Sequence, residues 1–148
     1  MTLFNGKNGA IAASVANLFS GGTPLLYTGQ EVGKTGITPF FNNSNINWTA
    51  NADMLAAYQK LYEVYSTEAA ARGNSISAYQ LSNDLICWKK TSGAESLLIL
   101  VNVRNNTINI NLPPVLTGDF TNLNSGQSEA VSTSISLTPY AYRIYKMN

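Results

Sequence analysis

Two hydrophobic spacings divide the chain. From Gly6 to Ser20, Ile11, Val15, Leu18 and Phe19 recur at the three- and four-residue intervals of one helix face, with Ala10, Ala12, Ala13 and Ala16 between them. Gly21-Gly22 is a helix stop. Thr23 to Tyr27 then reads as a short buried strand around Leu25-Leu26-Tyr27, and Thr28 to Gly33 as its exit loop. Lys34 to Trp48 has no period and carries Phe40, Phe41 and Trp48 in an Asn-rich setting; a loop of that length usually covers or contacts something. A second helix is predicted from about Asn51 to Ala71, with Leu55, Tyr58, Leu61, Tyr62 and Tyr65 as its apolar stripe and Thr49 or Asn51 as its cap. Gly73 ends it.

After Arg72-Gly73-Asn74 the period drops to two, which sets a predicted domain boundary: residues 1–73 and residues 74–148. Candidate strands are Ser75–Leu81, Leu85–Lys90, Ser96–Val103, Thr107–Leu112, Asp119–Asn122, Ala130–Leu137 and Tyr140–Met147, separated by Gly-, Asn- and Pro-containing turns. Leu97-Leu98-Ile99-Leu100-Val101 is continuously apolar and is expected at the centre, covered on both faces. Ile108, Ile110 and Leu112 alternate with Asn and belong to a half-exposed face. The predicted class is α+β: an incomplete α/β segment of two helices and one strand, then an all-β antiparallel sandwich of seven or eight strands.

Composition narrows the chemistry. The chain has 148 residues, 45% hydrophobic and 11% charged, with a net charge of +1. That charged fraction is below the roughly 25% of an average domain, so Asn, Ser and Thr supply the polar surface. No basic cluster marks a nucleic-acid or anionic-membrane partner, and no apolar run reaches the ~20 residues of a membrane span. With no histidine and only Cys87, Ser-His-Asp and Cys-His catalysis and the usual zinc sites are excluded. No metal or cofactor is expected. Cys87 lies in a strand pattern and reads as a small buried apolar residue. Asn42, Asn47 and Asn105 open Asn-x-Ser/Thr triplets, which arise by chance in so Asn- and Ser-rich a chain.

The stretch from Gly22-Thr23-Pro24 through Tyr27, Gly29 and Glu31 to Gly33 resembles the last barrel strand of the alpha-amylase family of glycoside hydrolases, Gly-x-Pro-x-x-Tyr-x-Gly-x-Glu. Ile46-Asn47-Trp48 resembles the Trp before that family's last helix, Leu61-Tyr62 to Arg72-Gly73 that helix and its exit, and Leu137-Thr138-Pro139-Tyr140 the closing strand of its C-terminal β-domain. The resemblance implies that residues 1–73 are the end of a (β/α)₈ barrel and residues 74–148 the β-domain of an enzyme acting on α-1,4-glucans such as starch. It implies a retaining mechanism whose Asp nucleophile, Glu acid/base and second Asp lie upstream of this chain. It also favours an extracellular or periplasmic location.

No catalytic residue is therefore assigned here. A full barrel takes roughly 250 residues, and the eight Asp and Glu residues form no evident pair at the roughly 5 Å separation of a retaining mechanism. Asp53, Glu63 and Glu68 fall mostly on the solvated side of the second helix. Candidate substrate-binding residues are Gln30, Glu31, Phe40, Phe41 and Trp48: two polar side chains at a strand exit and three rings able to stack on sugar. The competing reading has Glu31 accepting backbone N–H groups and the rings packing over the barrel end. Expected partners are an α-glucan in the complete enzyme, the rest of the catalytic barrel and, for isolated material, a second copy. A non-catalytic glucan-binding module is the alternative, and it requires exposed aromatic rings on one sheet face.

Overall fold

The computed structural model describes residues 4–36, 39, 41, 43 and 45–148. Helix α1 runs Lys7–Phe19, α2 Ala52–Thr67 and α3 Ala69–Arg72. Eight strands follow: β1 Ser75–Ala78, β2 Leu85–Ser92, β3 Glu95–Asn102, β4 Ile108–Asn111, β5 Gly118–Asn122, β6 Gln127–Val131, β7 Ser134–Leu137 and β8 Tyr142–Met147. They form a six-stranded antiparallel sheet in the order β1-β2-β3-β8-β5-β6, with β4 and β7 paired as a second layer. The class is the α+β arrangement predicted, and no barrel closes among the described residues.

The central strand is the one the apolar run indicates. Leu97, Ile99 and Val101 of β3 join Ala12, Val15 and Phe19 of α1, Leu61 and Val64 of α2, and Ala70 and Ala71 of α3 in one core. On the opposite face Leu98 and Leu100 join Ile108, Ile110 and Leu137 of the small sheet, with Leu85 and Cys87 of β2. The order is thus helices, large sheet, small sheet. The helical stripes, which the sequence leaves without an obvious cover, are buried against β3 and β8.

Several local expectations shift. The stretch Ala130–Leu137 is two strands, not one: β6 pairs with β5 in the large sheet and β7 with β4 in the small one, so the chain changes layers at Ser132-Thr133. The buried face of α2 is Met54, Tyr58, Leu61 and Val64, with Leu55 only half-buried; the stripe is rotated because α1 and the sheet approach from different sides. The second helix breaks at Glu68, which leaves helical geometry with ψ 122°, and α3 resumes beyond it. The strand expected at Thr23–Tyr27 is not formed. No strand pairs with it among the described residues, and Leu25 and Tyr27 are 81% and 64% exposed. A strand exists only through a neighbour's N–H and C=O groups.

Glycine is required at two places near α1. The Phe4 carbonyl lies where a Cβ on Gly9 would stand, 1.6 Å away, and Gly21 and Gly22 take φ of 99° and 82° where the helix stops.

Charge complements the short helix α3 at both ends. Glu95 Oε1 accepts the Ala70 N–H at 2.6 Å, and the buried Lys90 ammonium donates to the Ala71 carbonyl at 2.6 Å. That N–H bond, with Lys146 nearby, holds the Glu95 carboxyl below its usual 4.5 despite partial burial, whereas burial alone lowers the Lys90 pKa. A depressed carboxyl pKa stabilises the fold above the unfolded value and loses that contribution as pH falls through the folded one. Stability of the wild type is therefore expected to fall below pH 4.5 more steeply than that of Glu95→Gln, as read by urea unfolding against pH.

The side chain of Asn102, fully buried at the end of β3, ties the two sheets. Its amide donates to the carbonyls of Asn106, Leu137 and Thr138 at 2.7, 3.2 and 2.9 Å, and its oxygen accepts the Arg104 N–H at 2.9 Å. Asn102→Ala strands these groups and is expected to cost about 2–4 kcal/mol in urea unfolding.

Candidate functional site

The segment after α1 is held by tyrosines. Gln30, in a 3-10 turn Gln30–Val32, points back at the helices: its Nε2 donates to Tyr58 Oη at 3.0 Å and to Ser14 Oγ at 3.2 Å, and those two hydroxyls lie 2.5 Å apart. Tyr65 Oη donates to the Gly22 carbonyl at 3.3 Å. Asn51 stands at the N-cap position of α2 but makes no cap bond; its amide donates to the Val32 carbonyl at 2.8 Å. The sequence reading assigns these tyrosines to packing alone, yet two of them also anchor the loop.

Between α1, α2 and this segment lies a cleft of about 620 Å³, walled by Ala13, Leu18, Leu25, Tyr27, Tyr58 and Tyr62 among others. Its polar wall groups Ser14, Gln30 and Tyr58 are bonded to one another. Leu26 turns inward against the Ala10, Met54 and Tyr58 cluster while Leu25 and Tyr27 face out. The alternation of a strand is present without the pairing.

The candidate residues have different fates. Gln30 is exposed but committed to Tyr58 and Ser14. Glu31 Oε2 is buried and takes no hydrogen bond among the described residues. Phe41 is 94% and Trp48 51% exposed, so neither ring is buried in this chain's own core. Phe40 lies outside the described residues, as does Asn42 of the first Asn-x-Ser/Thr triplet.

One carboxylate pair does converge, and the sequence missed it. Glu68, expected on a solvated face, has a side chain only 13% exposed; its Oε2 pairs with Lys146 at 2.7 Å, and Glu95 Oε2 lies 3.5 Å from the same ammonium. A general acid needs a raised pKa and access to substrate. Glu95 has the opposite shift, and neither carboxylate lines the cleft. This pair joins helix to sheet. Burial pushes the Cys87 thiol up to about 12, which rules it out as a nucleophile at neutral pH. No three-residue metal-ligand group occurs among the described residues.

Tyr58→Phe removes the hydroxyl that Gln30 and Ser14 share. The expected cost is about 1–2 kcal/mol, with faster amide exchange confined to residues 28–33 in hydrogen-exchange mass spectrometry.

No family model matches the chain, and no curated protein matches it. Solved structures do. The chain is similar to an alpha-amylase from Anoxybacillus, with 20% identity and TM-score 0.80 over 94% of this chain and 32% of that one. It is similar to the alpha-amylase of Geobacillus thermoleovorans crystallised with acarbose, with 14% identity and TM-score 0.82 over 96% and 33%. A maltogenic amylase from S. marinus gives 19% identity and TM-score 0.77 over 96% and 19%. At such identities the likeness is one of fold. The chain's structural neighbours are alpha-amylase family glycoside hydrolases, and it shares their fold over about a fifth to a third of their length.

Proposed function

We propose that this chain is the C-terminal portion of an alpha-amylase-like glycoside hydrolase that acts on α-1,4-glucans in its complete form and is catalytically silent alone. The observation that carries this reading is coverage: nearly all of this chain, but only a third or less of these amylases, is shared. In this reading residues 1–73 are the end of the barrel and residues 74–148 the β-sandwich domain that covers and steadies it. The cleft beside the exposed Leu25 and Tyr27 is the face that meets the rest of the barrel; in isolated material a second copy can occupy it instead. Along the substrate side the loop carrying Gln30, Glu31, Phe40, Phe41 and Trp48 borders the glucan. Trp48, half exposed, can offer its ring for stacking, and Gln30 holds the loop.

The glucan-binding module is less well supported. It needs exposed rings on one sheet face, whereas Trp88, Tyr140 and Tyr142 join the core under the helices, and Tyr79, Phe120 and Tyr145 the core between the sheets.

The test compares two products of the same reading frame. The 148-residue chain is expected to release no reducing sugar from soluble starch. The full frame, extended upstream, is expected to hydrolyse it with retention of anomeric configuration, followed by NMR. Hydrolysis by the short chain, or none by the extended product, overturns the proposal.

A further inference from the structure

Two buried side-chain oxygens take no hydrogen bond among the described residues, Asn124 Oδ1 and Glu31 Oε2, and of the two only Glu31 carries a charge. A buried carboxylate oxygen without a donor forfeits its hydration for nothing in return. It lies near Tyr62, whose pKa it helps to raise; a phenol there offers no cation. Five of the chain's nine cations are engaged elsewhere. Lys7 pairs with Asp53, Lys60 with Glu63, Arg104 with Asp84, and Lys146 with Glu68. Lys90 is bonded to the Ala71 carbonyl.

The surroundings are equally incomplete. Glu31 follows the stretch whose Leu25 and Tyr27 face out and whose backbone has no strand partner. Whatever strand pairs with residues 23–27 passes beside the 3-10 turn that carries Glu31. A strand at that edge is placed to deliver a side chain to the buried oxygen. A guanidinium or ammonium group suits it: donors only, opposite charge, and a long apolar stem that can lie along Tyr62.

We infer that Glu31 is the receiving half of a buried ion pair whose cation, an arginine or lysine, comes from the segment of the complete enzyme that pairs with residues 23–27. This rests on the reading of the chain as the last part of a longer hydrolase. Glu31 is then a positioning residue that registers this loop on the barrel, and it touches no reacting atom.

The test is Glu31→Gln, nearly isosteric, made in both the 148-residue chain and the upstream-extended enzyme. In the short chain the substitution removes an unmatched carboxylate, and Tm is expected to rise by about 2–4 °C. In the extended enzyme it breaks the pair, and Tm is expected to fall by at least as much. A fall or no change in the short chain overturns the inference, because Glu31 would then be satisfied locally. A rise in both proteins overturns it while leaving the hydrolase reading intact, provided the extended product still cleaves starch. If no frame extends upstream, both fail together.

Discussion

The fold depends on burying one strand from both sides. Leu97 to Val101 of β3 has no solvated face, so two separate apolar surfaces must be supplied by the rest of the chain. The helices supply one and the β4–β7 layer the other. Burying such side chains is worth about 1.5–3 kcal/mol each, which is why elements far apart in sequence converge on these five positions.

That convergence needs a joint, and the joint is electrostatic. A four-residue helix such as α3 has no stability of its own. Glu95 at its amino end and Lys90 at its carboxyl end match the polarity of its peptide dipoles, and Glu68 at the break ties α2 to β8 through Lys146. Glu95, its carboxyl held below the usual value, has the opposite of the environment a catalytic acid requires. The convergence of Glu68 and Glu95 on Lys146 is a matter of architecture: it joins helix to sheet.

The side of the helices away from the sheet is finished differently. Tyr58, Tyr65 and Asn51 hold the 21–33 segment in a strand-like path, but its outward Leu25 and Tyr27 are largely exposed and the Glu31 Oε2 takes no hydrogen bond among the described residues. An exposed apolar edge beside a bare carboxylate oxygen is the kind of surface another segment covers. Under the function proposed above, that segment belongs to the rest of the barrel.

Spacing along the chain was enough to determine α1, the run of antiparallel strands and the two-sided burial of β3. Each follows from side chains whose burial repeats at a fixed interval, which is local information. Leu25-Leu26-Tyr27 has the composition of a buried strand, yet burial also demands a neighbour, and spacing within one segment carries no record of what lies beside it. For the same reason only the tertiary structure decided that Ala130–Leu137 serves two sheets, that Glu68 and Glu95 share one ammonium, and that Gln30 turns toward Tyr58. The Glu31 oxygen was left bare by the same rule: a hydrogen bond between residues distant in sequence is set by how the elements pack, and the pattern of either element alone does not encode it.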